Sequence, residues 1–263
     1  MKAPDSKLAV TLYNLREYCK TESDLDRTLD RVCEIGYQAV QVSGVPLETK
    51  IIASQLEKHG LFCCATHENL SVIRGPVEPI AEKLNMLGCD FTALGSPGAD
   101  FFTGEAAKVD ELTEIFNRQS RALAAYGIKL GYHNHHREFI KIAGTRKTML
   151  EKFYEDTDRG VCAEIDVHWV TRGGGSPESW IRRVAGRMPV VHFKDFVIYR
   201  GETYEPIFCE IGEGNLNWPG ILEACRETGV RWYSIEQDRE YPGRNIFESI
   251  KISFDNLRAM GVK

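Results

Sequence analysis

Six times along this chain a helix-like stretch ends at a glycine and runs almost at once into a short apolar segment. The glycines are Gly36, Gly60, Gly88, Gly127, Gly186 and Gly229. A glycine just past a helix supplies the left-handed cap that other residues resist. A brief apolar run bounded by such a stop reads as a buried strand. In order, the spacing predicts strands over Lys7 to Tyr13, Ala39 to Val42, Leu61 to Thr66, Phe91 to Leu94, Ile128 to His135, Val161 to Ile165, Pro189 to Phe193 and Trp232 to Ile235. The helices expected between and after them cover Ser23 to Ile35, Leu47 to Lys58, Glu78 to Leu87, Glu105 to Tyr126, Arg146 to Tyr154, Pro177 to Ala185, Trp218 to Thr228 and Asn245 to Met260.

Eight strands thus alternate with eight helices, without a linker or low-complexity tract, so residues 1–263 are expected to form one domain. Sharing 263 residues among eight units gives about 33 each, the size of a βα repeat. An open doubly wound sheet would offer a glycine-rich first turn. Here strand one runs into Leu12-Tyr13-Asn14-Leu15-Arg16, with no glycine. The expected fold is therefore α/β, a single (β/α)8 TIM barrel.

Charge narrows the partners. The net charge is −5, and no Lys/Arg run is long enough for a nucleic-acid stripe. No apolar run reaches membrane-spanning length, and Met1-Lys2-Ala3-Pro4-Asp5-Ser6 lacks an apolar leader core. A cytoplasmic protein without nucleic-acid or membrane partners is expected, with homo-oligomer formation left open. The 8 cysteines include no C-x-x-C pair, which suits reduced, buried thiols rather than a disulfide framework or zinc ribbon.

In a barrel of this kind chemistry collects at the C-terminal strand ends. Strand three ends at His67, strand five at His133 and His135, and strand six at Asp166. Strand seven ends at His192 with Lys194 two further on, and strand eight at Glu236 with Asp238. Of the 7 histidines only His59 lies away from such an end. The set His133, Asp166, His192 and Glu236 offers nitrogen and oxygen donors from four consecutive strands, which suits Mn²⁺, Co²⁺, Zn²⁺ or Mg²⁺. The competing reading is a hydrogen-bond network filling the mouth. Lys194 shares a face with His192 and is expected to aim into the same space. Glu164 lies one layer below Asp166, where a buried carboxylate needs a partner such as Lys194 or titrates high.

Several of these stretches resemble one family. Cys162-Ala163-Glu164-Ile165-Asp166-Val167-His168-Trp169, His192-Phe193-Lys194-Asp195, Ile235-Glu236-Gln237-Asp238 and Gly212-Glu213-Gly214-Asn215-Leu216-Asn217-Trp218 are similar to motifs of the xylose isomerase-like barrels. Within these the chain resembles the sugar phosphate isomerase/epimerase group, in the branch with a Tyr-His-Asn-His motif, here Tyr132-His133-Asn134-His135. Inosose dehydratases are similar in that strand. The resemblance implies one divalent metal held by Glu, Asp, His and Glu. This chain departs at the first position, where either His133 binds directly or Glu138 folds back to bind.

The implied chemistry starts with removal of a proton α to a carbonyl. Its return gives isomerisation or epimerisation, and loss of a β-hydroxyl gives dehydration or lyase chemistry. His135, helped by Glu138, is expected to move the proton, with Glu236 as the rival. His67, His168, Trp169, Lys194 and Trp218 are the expected substrate contacts, the tryptophans as walls for a sugar's C–H face or else as packing. The substrate is expected to be a neutral or weakly anionic polyol, since only Arg172-Gly173-Gly174-Gly175 could form a backbone anion nest. Two further readings are an endonuclease IV-like nuclease, disfavoured by the negative charge, and a non-catalytic sugar-binding subunit.

Overall fold

The computed structural model describes residues 5–201 and 203–263. Its strands are β1 (Leu8–Thr11), β2 (Ala39–Val42), β3 (Phe62–Glu68), β4 (Phe91–Leu94), β5 (Lys129–His133), β6 (Cys162–Asp166), β7 (Val190–Phe193), β8 (Asp195–Arg200), β9 (Tyr204–Cys209) and β10 (Trp232–Ile235). Eight of them close into a parallel barrel in the order β1-β10-β7-β6-β5-β4-β3-β2, while β8 and β9 form a separate antiparallel hairpin.

The six stop glycines all adopt positive φ, between 62° and 114°. After five of them the next amide bonds back across the last helical turn, as Tyr37 N does to Val32 O and Leu61 N to Leu56 O. That bond closes the helix and turns the chain into the next strand. At the opposite ends Thr21, Thr148 and Asn245 form capping boxes with Asp24, Glu151 and Glu248. Local sequence therefore fixes both ends of several helices before any barrel contact is made.

Alternation along the strands separates two cores. Leu130, Tyr132, Ile165, Val191 and Phe193 join the large cluster between barrel and helices. Ala9, Cys64, Phe91, Ala93, Cys162, Val190 and Trp232 form a smaller cluster of their own, on the other strand face. On β5 the inward position is Gly131, and a Cβ there would lie 2.6 Å from Phe91 Cζ. Phe91 fills the barrel only because that side chain is missing. Above this apolar floor the inward positions become polar.

Three local expectations are corrected. β5 ends at His133, two residues short of the expected His135, because the chain turns into Arg137–Phe139. A helix, Val167–Arg172, starts directly after β6, with Asp166 as its cap. The stretch after β7, read as loop, holds the β8–β9 hairpin. Pro206 sits within β9, which a two-stranded hairpin with free edges tolerates.

Candidate metal centre at the barrel mouth

Two polar layers sit above the apolar floor. In the lower one Glu164, fully buried on β6, takes four neighbours. His67 Nε2 lies 2.5 Å from Oε2 and His133 Nδ1 3.3 Å from it. Gln41 Nε2 donates to Oε1 at 3.1 Å, and His192 Nε2 is 3.4 Å away. Gln41 also accepts from His192 Nε2 at 2.7 Å. In the upper layer His192 Nδ1 meets Glu236 Oε2 at 3.1 Å, and Lys194 Nζ lies 2.7 Å from the same oxygen. Lys194 also contacts Asp166 Oδ2 at 3.2 Å and Asp238 Oδ2 at 3.0 Å.

Ligand atoms of His133, Asp166, His192 and Glu236 all lie within 4.8 Å of one another, as do those of His67, His133, Glu164 and His192. Both sets could hold a metal ion. Asp166 Oδ2 in the first set and His133 Nδ1, common to both, are buried without a hydrogen bond among the described residues and keep only ionic contacts, to Lys194 and Glu164 respectively. Asp166 divides its carboxylate, with Oδ1 accepting from Trp169 N at 2.9 Å and Oδ2 turned to Lys194. A cap thus orients the second oxygen, as a supporting hydrogen bond orients a metal ligand. The six residues of the two sets offer only nitrogen or oxygen donors, so they fit a borderline or hard divalent cation.

The charges compensate within the cluster. Burial opposes ionisation of Glu164, but His192 and His67 outweigh it and hold the carboxyl well below the usual range. Neither Lys194 nor a raised titration, the two expected outcomes, is what Glu164 uses. Burial likewise opposes charge on His192, yet Glu164 and Glu236 raise it to about 10. His135 makes no direct ion pair with a carboxylate among the described residues, and Glu236 acts on it too weakly to offset burial. Burial, followed by His133 and Lys194, pushes it down to about 2, so its imidazole is neutral.

A cavity of about 590 Å³ opens over this cluster, with His67, His133, His135, Lys194, Glu236 and Asp238 in its wall. Tyr13, Ser43, Gly44, Glu68, Asn69, Gly95 and Ser96 complete the wall, which holds no arginine among the described residues. His135 lies beyond the end of β5 but still reaches the cavity, its ring 5.0 Å from that of His133. Trp169 stands behind it, 5.4 Å from the His135 ring and 5.1 Å from Lys194 Nζ.

Other expected residues lie elsewhere. Glu138 is fully buried, accepting from Tyr132 OH and from His135 N, both at 2.9 Å. Tyr132 and His133 point to opposite faces of β5, so Glu138 is behind the barrel wall and neither joins the donors nor touches the His135 imidazole. Trp218 is packed on Phe193 and donates to Asp195 Oδ2 at 2.6 Å. The same carboxylate accepts from Gly212, Gly214 and Leu216 amides, which explains the glycine-rich turn there. His168 is buried among Trp169, Phe196 and Phe208 and is outside the cavity wall. Gly173 and Gly175 are crowded by Phe139, so packing accounts for those glycines. Gln41 escaped sequence reading, although a lone glutamine in the inward register of Ala39-Val40-Gln41-Val42 was a signal.

The sequence profile of the family described as Xylose isomerase-like TIM barrel matches residues 29–259. The chain is 22% identical over 196 residues to the Rhizopine catabolism protein MocC of Rhizobium meliloti, covering 70% of this chain and 54% of that protein. It thus spans about half the length of that relative. It is 20% identical over 234 residues to Inosose dehydratase of Lactiplantibacillus plantarum, covering 84% of this chain and 76% of the relative. A solved sugar phosphate isomerase/epimerase from Parabacteroides distasonis superposes with a TM-score of 0.80 at 23% identity, covering 100% of this chain and 97% of that one. At that identity the likeness concerns the fold.

Proposed function

This chain belongs to the xylose isomerase-like TIM barrel family, and from that premise we propose a metal-dependent isomerase or epimerase of keto-sugars or polyols. The observation that carries the reading is the convergence of His133, Asp166, His192 and Glu236 within 4.8 Å beneath an open polar cavity. A divalent ion held there would polarise a carbonyl and its neighbouring hydroxyl, acidifying the C–H between them.

The chain's own residues supply the rest. Lys194 offers its ammonium to a developing oxyanion while compensating Asp166 and Glu236. His135, neutral and free of side-chain hydrogen bonds among the described residues, takes the α-proton on its imidazole. Its low basicity is a cost, offset because the imidazolium forms beside the enediolate's negative charge. Trp169 fixes the ring's plane from behind. Asn69, Ser43 and Ser96 suit hydroxyl groups, and the absence of arginine in the wall favours an unphosphorylated polyol.

A dehydratase is the second reading, favoured by one feature. With His133 at the first donor position, Glu236 is the single glutamate of the upper layer, and two-sided proton transfer loses its symmetric pair. Metal analysis joined to a screen of keto-sugars and inososes in deuterated water tests both. Isomerisation returns product carrying deuterium, dehydration releases an enone, and a metal-loaded protein that exchanges no α-hydrogen ends the proposal.

A further inference from the structure

A second cavity, of about 520 Å³, lies at the opposite end of the barrel, where β5, β6, β7 and β10 begin. Arg121, Lys129, Arg159, Arg187 and Arg231 line it, against the single carboxylate of Asp158. In a chain of net charge −5 this is a local concentration of positive charge. Part of it is compensated. Arg121 donates to Asp158 at 2.6 Å, and Arg231 and Lys129 share Asp90. Arg159 and Arg187 have no carboxylate partner among the described residues.

Arg187 carries the argument. It is only 8% exposed, yet its guanidinium hydrogen-bonds neutral groups alone among the described residues. Nη2 donates to Tyr154 O at 2.7 Å, Nη1 to Thr157 Oγ1 at 3.4 Å, and the ring of Tyr154 lies 5.0 Å away. Nε is buried with no partner among the described residues. A buried cation without counter-charge is costly, and a cavity beside it gives room for the missing anion. The remaining wall is apolar where Ala124, Ile128, Met188 and Pro189 contribute, with Cys162 among the lining residues. Such a mixture suits a charged head on an apolar body better than a bare inorganic ion.

We propose that this cavity binds a small organic oxyanion, one phosphate or carboxylate group on an apolar body, with Arg159 and Arg187 as its counter-charges. The planar fork of each guanidinium matches either head group. The site is separate from the metal centre. Cys162, Glu164 and Asp166 succeed one another on the inward face of β6, so the two ends are about 13 Å apart along that strand.

Calorimetric titration of the full chain at low ionic strength, with phenyl phosphate, benzoate and inorganic phosphate as probes, tests this. Phenyl phosphate or benzoate should saturate a single site more tightly than inorganic phosphate, and either order of the two supports the site and assigns the head group. Arg159→Gln, at an exposed position, should weaken the tighter probe at least fivefold, whereas Glu236→Gln at the mouth should leave its affinity unchanged. Arg187→Lys keeps the charge and loses the fork, and should weaken binding in a protein whose circular dichroism is unaltered. Failure of both organic probes to saturate, or binding lost in Glu236→Gln and kept in Arg159→Gln, overturns the proposal.

Discussion

The carboxylate of Glu138 accepts the backbone N–H of His135 at 2.9 Å and leaves the imidazole alone. Glu138 therefore shapes the turn that presents His135, and does so from behind the barrel wall through Tyr132. Its carboxyl is itself under strain from burial, which pushes it from 4.5 up to about 7.

That shift has a sign for stability. A carboxyl whose folded value is raised favours the folded state while protonated, and the advantage is lost as pH rises through the folded value. Thermal stability should fall between pH 4.5 and about 7 because of Glu138, and Glu138→Gln should flatten that part of the profile. Melting curves across this range check it, and an unchanged slope in the variant would show that another group is responsible.

Lys194 neutralises a cluster of carboxylates, touching Asp166, Glu236 and Asp238 from a position 1% exposed. Lys194→Met should cost about 3–5 kcal/mol, since it leaves buried like charges facing one another. A divalent ion would restore part of the lost charge. The rise in Tm on adding Mn²⁺ should accordingly be larger for Lys194→Met than for the wild type, measured side by side with and without chelator.

Chelation should lower the Tm of metal-loaded wild type and abolish turnover, because an ion that binds only the folded state stabilises it. Asp166→Asn and Glu236→Gln should each bind less than a stoichiometric ion by elemental analysis. Retention of one full equivalent in both variants would move the ion to the lower set around Glu164.

His135→Asn keeps polarity and removes the proton acceptor. Metal content should stay at the wild-type level while exchange of the substrate's α-hydrogen drops by about 10²–10⁴-fold. Exchange at the wild-type rate transfers the role to Glu236.

Gly131→Ala should destabilise by about 1–3 kcal/mol, the usual range for overpacking, because its Cβ would meet Phe91 at 2.6 Å. Adding Phe91→Leu should recover part of this loss, as chemical denaturation of the single and double variants would show.

The sequence by itself determined the repeat. Glycine stops, capping boxes and apolar runs act over a few residues, so Ala39–Val42, Phe91–Leu94, Trp218–Thr228 and Trp232–Ile235 could be placed to the residue. Strand ends could then be read as a mouth, which put Asp166, His192 and Glu236 together. Only the tertiary structure decided what lies behind each of them. Glu138 was expected at the site because it follows the histidine strand, and Trp218 because an indole can wall a sugar or else pack, but side-chain direction and cross-strand packing sent one to Tyr132 and the other to Asp195. Gln41 stood out as a lone polar residue in the inward register of its strand, but its partners Glu164 and His192 are 123 and 151 residues away. Contacts at that separation depend on how the barrel closes, and no local pattern along the chain encodes that.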